Sequence, residues 1–305
     1  MEVTEKKPKV SVCVVTYNQE KYIRQCLQSI IDQVTDFDFE VIVADDCSTD
    51  GTRAIVREFA EKYPGVVKPI FHNKNIGAYK NFIFVHEKAS GEYTAHVDGD
   101  DYCLPGKLQN QAIFLDANPG FALVAHKMEI LNDDEIIGST RSNPETIEID
   151  YLLKNHPAFL NSSTMMRRVV WGSLPRRDLL LDFHIYIHAC ICGAIGFQNK
   201  VLGVYRQGIG ISSSHNLLPQ ILDAIDSAKR STVPRIEEFM RGAKAKNALS
   251  YSFSHLLRRD YGEFSKSILI AWDFGSNRFF VWCFYKMRKN PKLLRQLVVL
   301  YKKIK

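Results

Sequence analysis

The chain has 305 residues, of which 46% are hydrophobic and 24% charged, and a formal net charge of +6. This size and apolar content suit one large domain, or one domain with a smaller appendage, and exclude a disordered or fibrous chain. The charge is uneven: nine Lys and Arg and no acidic residue lie between 276 and 305, which leaves a net −3 for the remainder. That distribution excludes the basic stripe across a fold that general nucleic-acid binding needs.

The start, MEVTEKKPKVSV, is charged and lacks the apolar core of a secretory leader. No run of about 18 uninterrupted apolar residues exists, so no spanning helix is expected. Cys13, Cys26, Cys47, Cys103, Cys190, Cys192 and Cys283 are odd in number and show no CxxC spacing. They point to a reducing compartment, without a disulfide framework or a thiolate metal site. The expected location is cytoplasmic.

The first third alternates strands and helices. Val10–Tyr17 is a β-branched apolar run of the kind that forms a buried parallel strand. Ile23, Leu27, Ile30 and Ile31 then recur at helical spacing. Phe39–Ala44 is a second strand, followed by the acidic turn Asp45-Asp46 and a helix marked by Ile55, Val56 and Phe59. Val66–Phe71 is a third strand and Ala78–Ala89 a third helix. Tyr93–Val97 is a fourth strand that runs straight into Asp98-Gly99-Asp100-Asp101, and Pro105 begins the next helix. Further on, Phe121–Ile130 and Lys200–Arg206 read as strands and Leu181–Cys192 as a helix. Beyond Asn216 the pattern is helical, with a new helix beginning at Pro234. Such alternation predicts an α/β fold with a mostly parallel central sheet and a C-terminal helical appendage. The domains are expected at 1–220 and 221–305.

In such sheets ligands bind beyond the carboxyl ends of the strands, where the two acidic clusters fall. Asp98, Asp100 and Asp101 repel one another, and a hard cation such as Mg²⁺ or Mn²⁺ offsets that repulsion while sharing diphosphate oxygens. A solvated acidic turn is the plainer alternative. Asp45 and Asp46 can accept from a ring N–H or a ribose, or can close an Asx-turn. Thr16-Tyr17-Asn18 can cap a helix or present backbone groups to a base.

Taken in order, VSVCVVTYNQEKYIRQCLQSI, FEVIVADDCSTDGT, NKNIGAYKNF and ASGEYTAHVDGDD closely resemble the family-two glycosyltransferases of GT-A fold. The likeness is strong over residues 9–130 and returns at Leu181–Arg206, LDFHIYIHACICGAIGFQNKVLGVYR. It implies a Rossmann-like sandwich and inverting transfer from a nucleotide sugar, with UDP expected first and dTDP second. The acceptor it implies is a hydroxyl of a glycan or lipid-linked saccharide in surface polysaccharide synthesis. Thr16, Tyr17 and Asn18 would line the nucleotide, Asp46 would accept from the base ring, and Lys80 would join the donor-binding residues. Asp98 would reach the ribose or the metal shell, Asp100 would ligate the metal, and Asp182 would be the general base, with Asp178 the fallback. An N-cap role is the plain alternative for Asp182.

Gly208 departs from the family pattern, in which a histidine two residues after the YR pair can complete the metal shell. His215 is the nearest substitute in sequence. His184 and His188, four apart on one helix, are expected to pack or touch acceptor rather than bind metal. Asn161 to Thr164 suit either sugar hydrogen bonding or a plain polar loop. A fold kept only to bind nucleotide sugar or glycan is the alternative function. Residues 276–305 mix aromatic and basic residues at helical spacing, which reads either as an anchor on an anionic membrane surface or as a docked helix.

Overall fold

In the computed structural model, residues 7–175, 181–209, 217–275 and 279–296 are described. Asp178, His215 and the two ends of the basic tail, 276–278 and 297–305, lie outside them. Contacts divide the chain into two units, one of Met1–Glu148 and His156–His215, the other of Ile149–Asn155 and Asn216–Lys305.

The first unit is a mixed sheet covered by helices. Its elements in order are β1 (Val10–Thr16), α1 (Ile23–Ile31), β2 (Phe39–Asp45), α2 (Thr52–Lys62), β3 (Val67–Phe71), α3 (Ala78–Glu87), β4 (Tyr93–Asp98), β5 (Tyr102–Cys103), α4 (Lys107–Ala117), β6 (Phe121–Asn132), β7 (Glu135–Ser139) and β8 (Thr146–Ile147). After α5 (Ile149–Asn155), which belongs to the second unit, come a 3-10 turn (Asn161–Ser163), β9 (Met165–Arg167), α6 (Arg168–Gly172), α7 (Asp182–Cys192) and β10 (Ala194–Arg206). The strand order is β3-β2-β1-β4-β9-β6-β10-β5, with β7 beside β6 and β8 beside β10.

The four leading strands are parallel because each is followed by a helix that returns the chain to the same edge. Their residues are buried on both faces: Val10, Val12, Val14, Val41 and Val43 on one, and Cys13, Ile42 and Ala44 on the other. Ile23, Cys26, Leu27 and Ile30 form the buried stripe of α1 that packs into this core. The register sets Thr16 beside Asp45 and Val15 beside Asp98, so three strand tips end level.

Several elements differ from the sequence reading. β9 is antiparallel to both β4 and β6 and joins the two halves of the sheet. Three residues are too few to show a period, and Met165-Met166-Arg167 carries none of the β-branched signal. β10 begins six residues before Lys200, with register irregularities around Gln198 to Gly203 that hide its alternation. α4 begins at Lys107 and not at Pro105, because Gly106 takes a left-handed conformation (φ 83°) just ahead of it.

The second unit is helical: α5, α8 (Leu218–Ser227), α9 (Ile236–Leu257), α10 (Tyr261–Gly275) and α11 (Phe279–Met287). Leu218, Ala248, Leu256, Phe264, Ile268 and Ala271 make its core, together with Phe284 and Leu294 from the basic tail. Phe284 packs on Phe253 and Tyr285 stacks on Trp272. Among the described residues no helix is long and apolar enough to cross a membrane.

Gly91 marks the tightest joint at the start of β4. Its N–H donates to Ser11 Oγ (2.8 Å), which itself donates to the buried Glu40. A Cβ there would lie 2.7 Å from the Ser11 nitrogen, which is backbone and cannot yield alone. Gly91→Ala is expected to lower the urea midpoint and cost roughly 1–3 kcal/mol, as overpacking does. An unchanged midpoint would show that β1 and β4 are not locked there.

Candidate active site

A cleft of about 420 Å³ opens at the carboxyl ends of β1, β2 and β4. Thr16, Tyr17, Asn18, Asp46, Asp98, Asp100 and Asp182 all line it. So do Gln19, Asn81, Asn161, Ser162 and Tyr205. Lys80 is exposed on α3 and is not among the lining residues, although Ala78 and Asn81 of that helix are.

The loops after β1 and β2 are laced together. Asn18 adopts a left-handed conformation (φ 52°), its Oδ1 accepts the Thr49 N–H (2.8 Å), and its own N–H donates to Ser48 Oγ (2.9 Å). The Gln19 N–H donates to Thr52 Oγ1 (2.8 Å). Asp45 is fully buried beneath them, accepting from Arg53 Nε and the Ser48 N–H. Asp46, also buried, accepts from the N–H groups of Ile76 (2.7 Å) and Gly77 (2.9 Å), one on each oxygen. It therefore fixes the turn that leads into α3 as well as facing the cleft.

The acidic turn after β4 is electrostatically divided. Burial would raise the Asp98 carboxyl, but the charge and hydrogen bond of His96, the Ser162 hydroxyl and Lys107 outweigh it and hold Asp98 below the usual carboxylate range. Asp100 has weaker partners, the Arg206 charge and the Gln19 side chain, which do not offset its surroundings. Burial and the Asp98 charge lift it from 3.8 to about 6. Asp101 is raised further by burial and by both neighbours. One of its oxygens accepts the Arg206 N–H (2.9 Å), which ties the turn to the end of β10, and the other has no partner. Gly99 permits this crowding, since a Cβ would lie 2.5 Å from Gln19 Oε1 and 3.0 Å from Thr16.

Asp182 is the first residue of α7, where its Oδ1 accepts the Phe183 N–H (2.8 Å). Its carboxyl is raised by desolvation against the cleft wall and by the Asp98 charge. Nearby, Tyr186 donates to Asn161 Oδ1 (3.0 Å). His184 is buried and accepts the Leu181 N–H, and His188 meets the Ser173 hydroxyl and Cys192 at the far end of the helix. Gly208 has φ 89° with open space where a Cβ would sit, so the turn itself favours glycine. Among the described residues no three His, Cys, Asp or Glu side chains converge as a metal-ion group.

Sequence reasoning passed over Gln19, Asn81, His96 and Lys107. For His96 a signal existed: in YTAHVD it alternates onto the face that carries Asp98.

Residues 11–172, just over half the chain, match the family model described as glycosyl transferase family 2. The chain belongs to that family. It is 34% identical over 202 residues to the uncharacterised protein Rv1520 of Mycobacterium tuberculosis, covering 65% of this chain and 58% of that one. It is also 39% identical over 127 residues to the poly(ribitol-phosphate) β-N-acetylglucosaminyltransferase TarS of Staphylococcus aureus, covering 41% of this chain and 22% of TarS. The chain thus spans less than two thirds of the length of these curated relatives. The crystal structure of TarS 1-349 in complex with UDP-GlcNAc superposes with a TM-score of 0.68 at 23% identity, covering 97% of this chain and 92% of that one. That likeness establishes the GT-A fold.

The raised Asp100 gives a stability test. A carboxyl whose folded pKa lies above its unfolded value stabilises the fold only while protonated, so the penalty grows as pH rises from 3.8 to about 6 and is complete above it. Asp100→Asn is expected to raise the Tm of the metal-free protein by a few degrees at pH 7.5, the upper limit being roughly 3 kcal/mol for a shift of about two units. At pH 4 the two proteins should melt together. Equal or lower Tm for the variant at pH 7.5 would contradict the crowding.

Proposed function

We propose that the chain is an inverting glycosyltransferase that moves a hexosyl group from a UDP-sugar to a hydroxyl of a glycan or lipid-linked saccharide during polysaccharide synthesis. One observation carries this reading: a single cleft is lined by the tips of three parallel strands, by the three unlike carboxylates of the acidic turn, and by a further carboxylate, Asp182, at the start of α7. Those are the three parts that the reaction needs. The likeness to TarS, a poly(ribitol-phosphate) β-N-acetylglucosaminyltransferase crystallised with UDP-GlcNAc, supports a UDP-sugar donor and a polymeric acceptor.

In this reading Thr16, Tyr17 and Asn18 line the nucleotide, with the 40%-exposed Tyr17 offering a ring face to the base. Asp46 accepts from the base ring with lone pairs left over from Ile76 and Gly77, and Lys80 remains a candidate for the outer donor contacts. Asp98 accepts from the ribose or joins the metal shell, and Asp100 ligates the metal.

The residues fit a hard divalent cation, Mg²⁺ or Mn²⁺. Asp100 is raised despite Arg206 and the Gln19 side chain, and the nearby oxygens of Thr16, Gln19 and Asp101 are buried without partners. The donor set is all oxygen, and two carboxylates leave room for diphosphate oxygens. Bound there, the cation would neutralise the departing diphosphate.

Asp182 takes the proton of the acceptor hydroxyl as that oxygen bonds to the anomeric carbon and the carbon–diphosphate bond breaks on the opposite face. Its raised pKa makes it a stronger base than an ordinary aspartate. It works only when ionised, so turnover falls as the pH is lowered and the carboxyl takes up a proton. Asn161, held by the Tyr186 hydroxyl, stands in the cleft as an acceptor contact. The basic tail, 276–305, with Trp282 and Leu293 exposed, serves as an anchor on an anionic membrane surface that would bring a lipid-linked acceptor to a peripheral enzyme.

Asp182→Asn is expected to lower kcat by roughly 10²–10⁴ with UDP-sugars and Mn²⁺, to remove the acid limb of the pH profile, and to leave UDP binding intact. Wild-type turnover matched by the variant would remove Asp182 from the reaction. UDP binding without turnover across a broad set of sugars and acceptors would favour the binding-module alternative.

A further inference from the structure

Asp98 is held from behind in a way that its two neighbours are not. His96 Nε2 lies 3.1 Å from Asp98 Oδ1. An ionised carboxylate only accepts, so this ring nitrogen carries the proton and donates. Ser162 grips the other side: its Oγ accepts the Asp98 N–H (2.9 Å) and donates to Asp98 Oδ2 (3.0 Å). Both carboxylate oxygens and the main chain of one residue are thus fixed by two side chains from different elements.

These two side chains are themselves immobilised. The His96 ring stacks on His86 (5.3 Å, 27°), which packs in turn, tilted, on Trp171 (4.6 Å, 30°). Phe82 meets His96 edge-on at 4.7 Å. Beneath them lies Lys107, 1% exposed, whose Nζ donates to the carbonyls of Ser162 (2.6 Å) and His96 (3.3 Å). A buried ammonium is costly unless its donors are used. Here they clip β4 to the turn at 161–163, the two segments that deliver His96 and Ser162.

We propose that His96 and Ser162 are positioning residues that fix the Asp98 carboxylate for the donor, with Lys107 clamping the segments that carry them. This rests on the glycosyltransferase reading above. Asp98 is then a preset acceptor, while Asp100 stays free to meet the cation. Shared support from a second layer of hydrogen bonds is the usual means of holding such a ligand in one orientation.

The test is calorimetric titration of UDP, with and without Mn²⁺, into the wild type and into His96→Phe, His96→Gln and Ser162→Ala. Phenylalanine keeps the ring stack and removes the donor, and glutamine restores an N–H. His96→Phe and Ser162→Ala are expected to weaken UDP binding roughly 10–100-fold, with His96→Gln staying within about 3-fold of wild type, the range that supporting residues show elsewhere. Melting curves identify any variant that does not fold, and Ser162→Ala then decides for His96→Phe. Wild-type affinity in both His96→Phe and Ser162→Ala overturns the proposal, as does equal loss in His96→Phe and His96→Gln. A wild-type protein that binds no UDP overturns the functional reading as well, so the two failures are distinct.

Discussion

The structure turns on one constraint, the crowding of three carboxylates at the end of β4. Like charges this close cannot all ionise in a buried turn without compensation. The fold resolves the conflict unequally. Asp98 receives His96, Ser162 and the distant charge of Lys107 and stays ionised. Asp100 receives only Arg206 and the Gln19 side chain, which burial and the Asp98 charge outweigh, and is raised to about 6. Asp101 is spent on the Arg206 main chain. One turn therefore contains a fixed anion, a poorly compensated carboxyl and a structural one, and that inequality underlies the proposed division between donor contact and metal ligand.

Around this turn the scaffold supplies position. Parallel pairing brings Thr16, Asp45 and Asp98 to neighbouring strand tips, and the Asp46 and Gly99 N–H groups continue the ladder onto Thr16 and Val15. Asn18, Ser48, Asp50 and Thr52 then lace the loops after β1 and β2 into one surface. β9 brings the turn at 161–163 against β4, and α7 starts with Asp182 at the cleft. The site is assembled from seven segments of the first unit, which is why no single motif defines it.

The fold was legible where burial leaves a strong composition signal. Val10–Thr16 and Phe39–Asp45 are runs of β-branched residues closed by acidic or polar turns, and both formed strands. Met165–Arg167 gave no such signal because its pairing is decided by the flanking strands. The cleft residues after β1, β2 and β4 were legible as polar groups at the ends of buried strands. What they touch was not: Asp46 reaches Ile76 and Gly77, about 30 positions away, and periodicity carries no trace of that. Lys107 is the sharpest case. Its type suggests a solvated helix face, yet its ammonium lies 1% exposed over two carbonyls, a placement set by the acidic turn above it. In the tail, Phe284 and Leu294 pack inward while Trp282 and Leu293 stay exposed, a mixture that alternating aromatic and basic residues could not resolve beforehand.

The central claim, that the unequal carboxylates form a cation-assisted nucleotide-sugar site, is tested most directly by calorimetry of UDP binding across a Mn²⁺ series. The account predicts a Kd in the roughly micromolar range at saturating Mn²⁺, weakening by an order of magnitude or more when the cation is chelated. No heat of binding at millimolar UDP, with or without Mn²⁺, would contradict it.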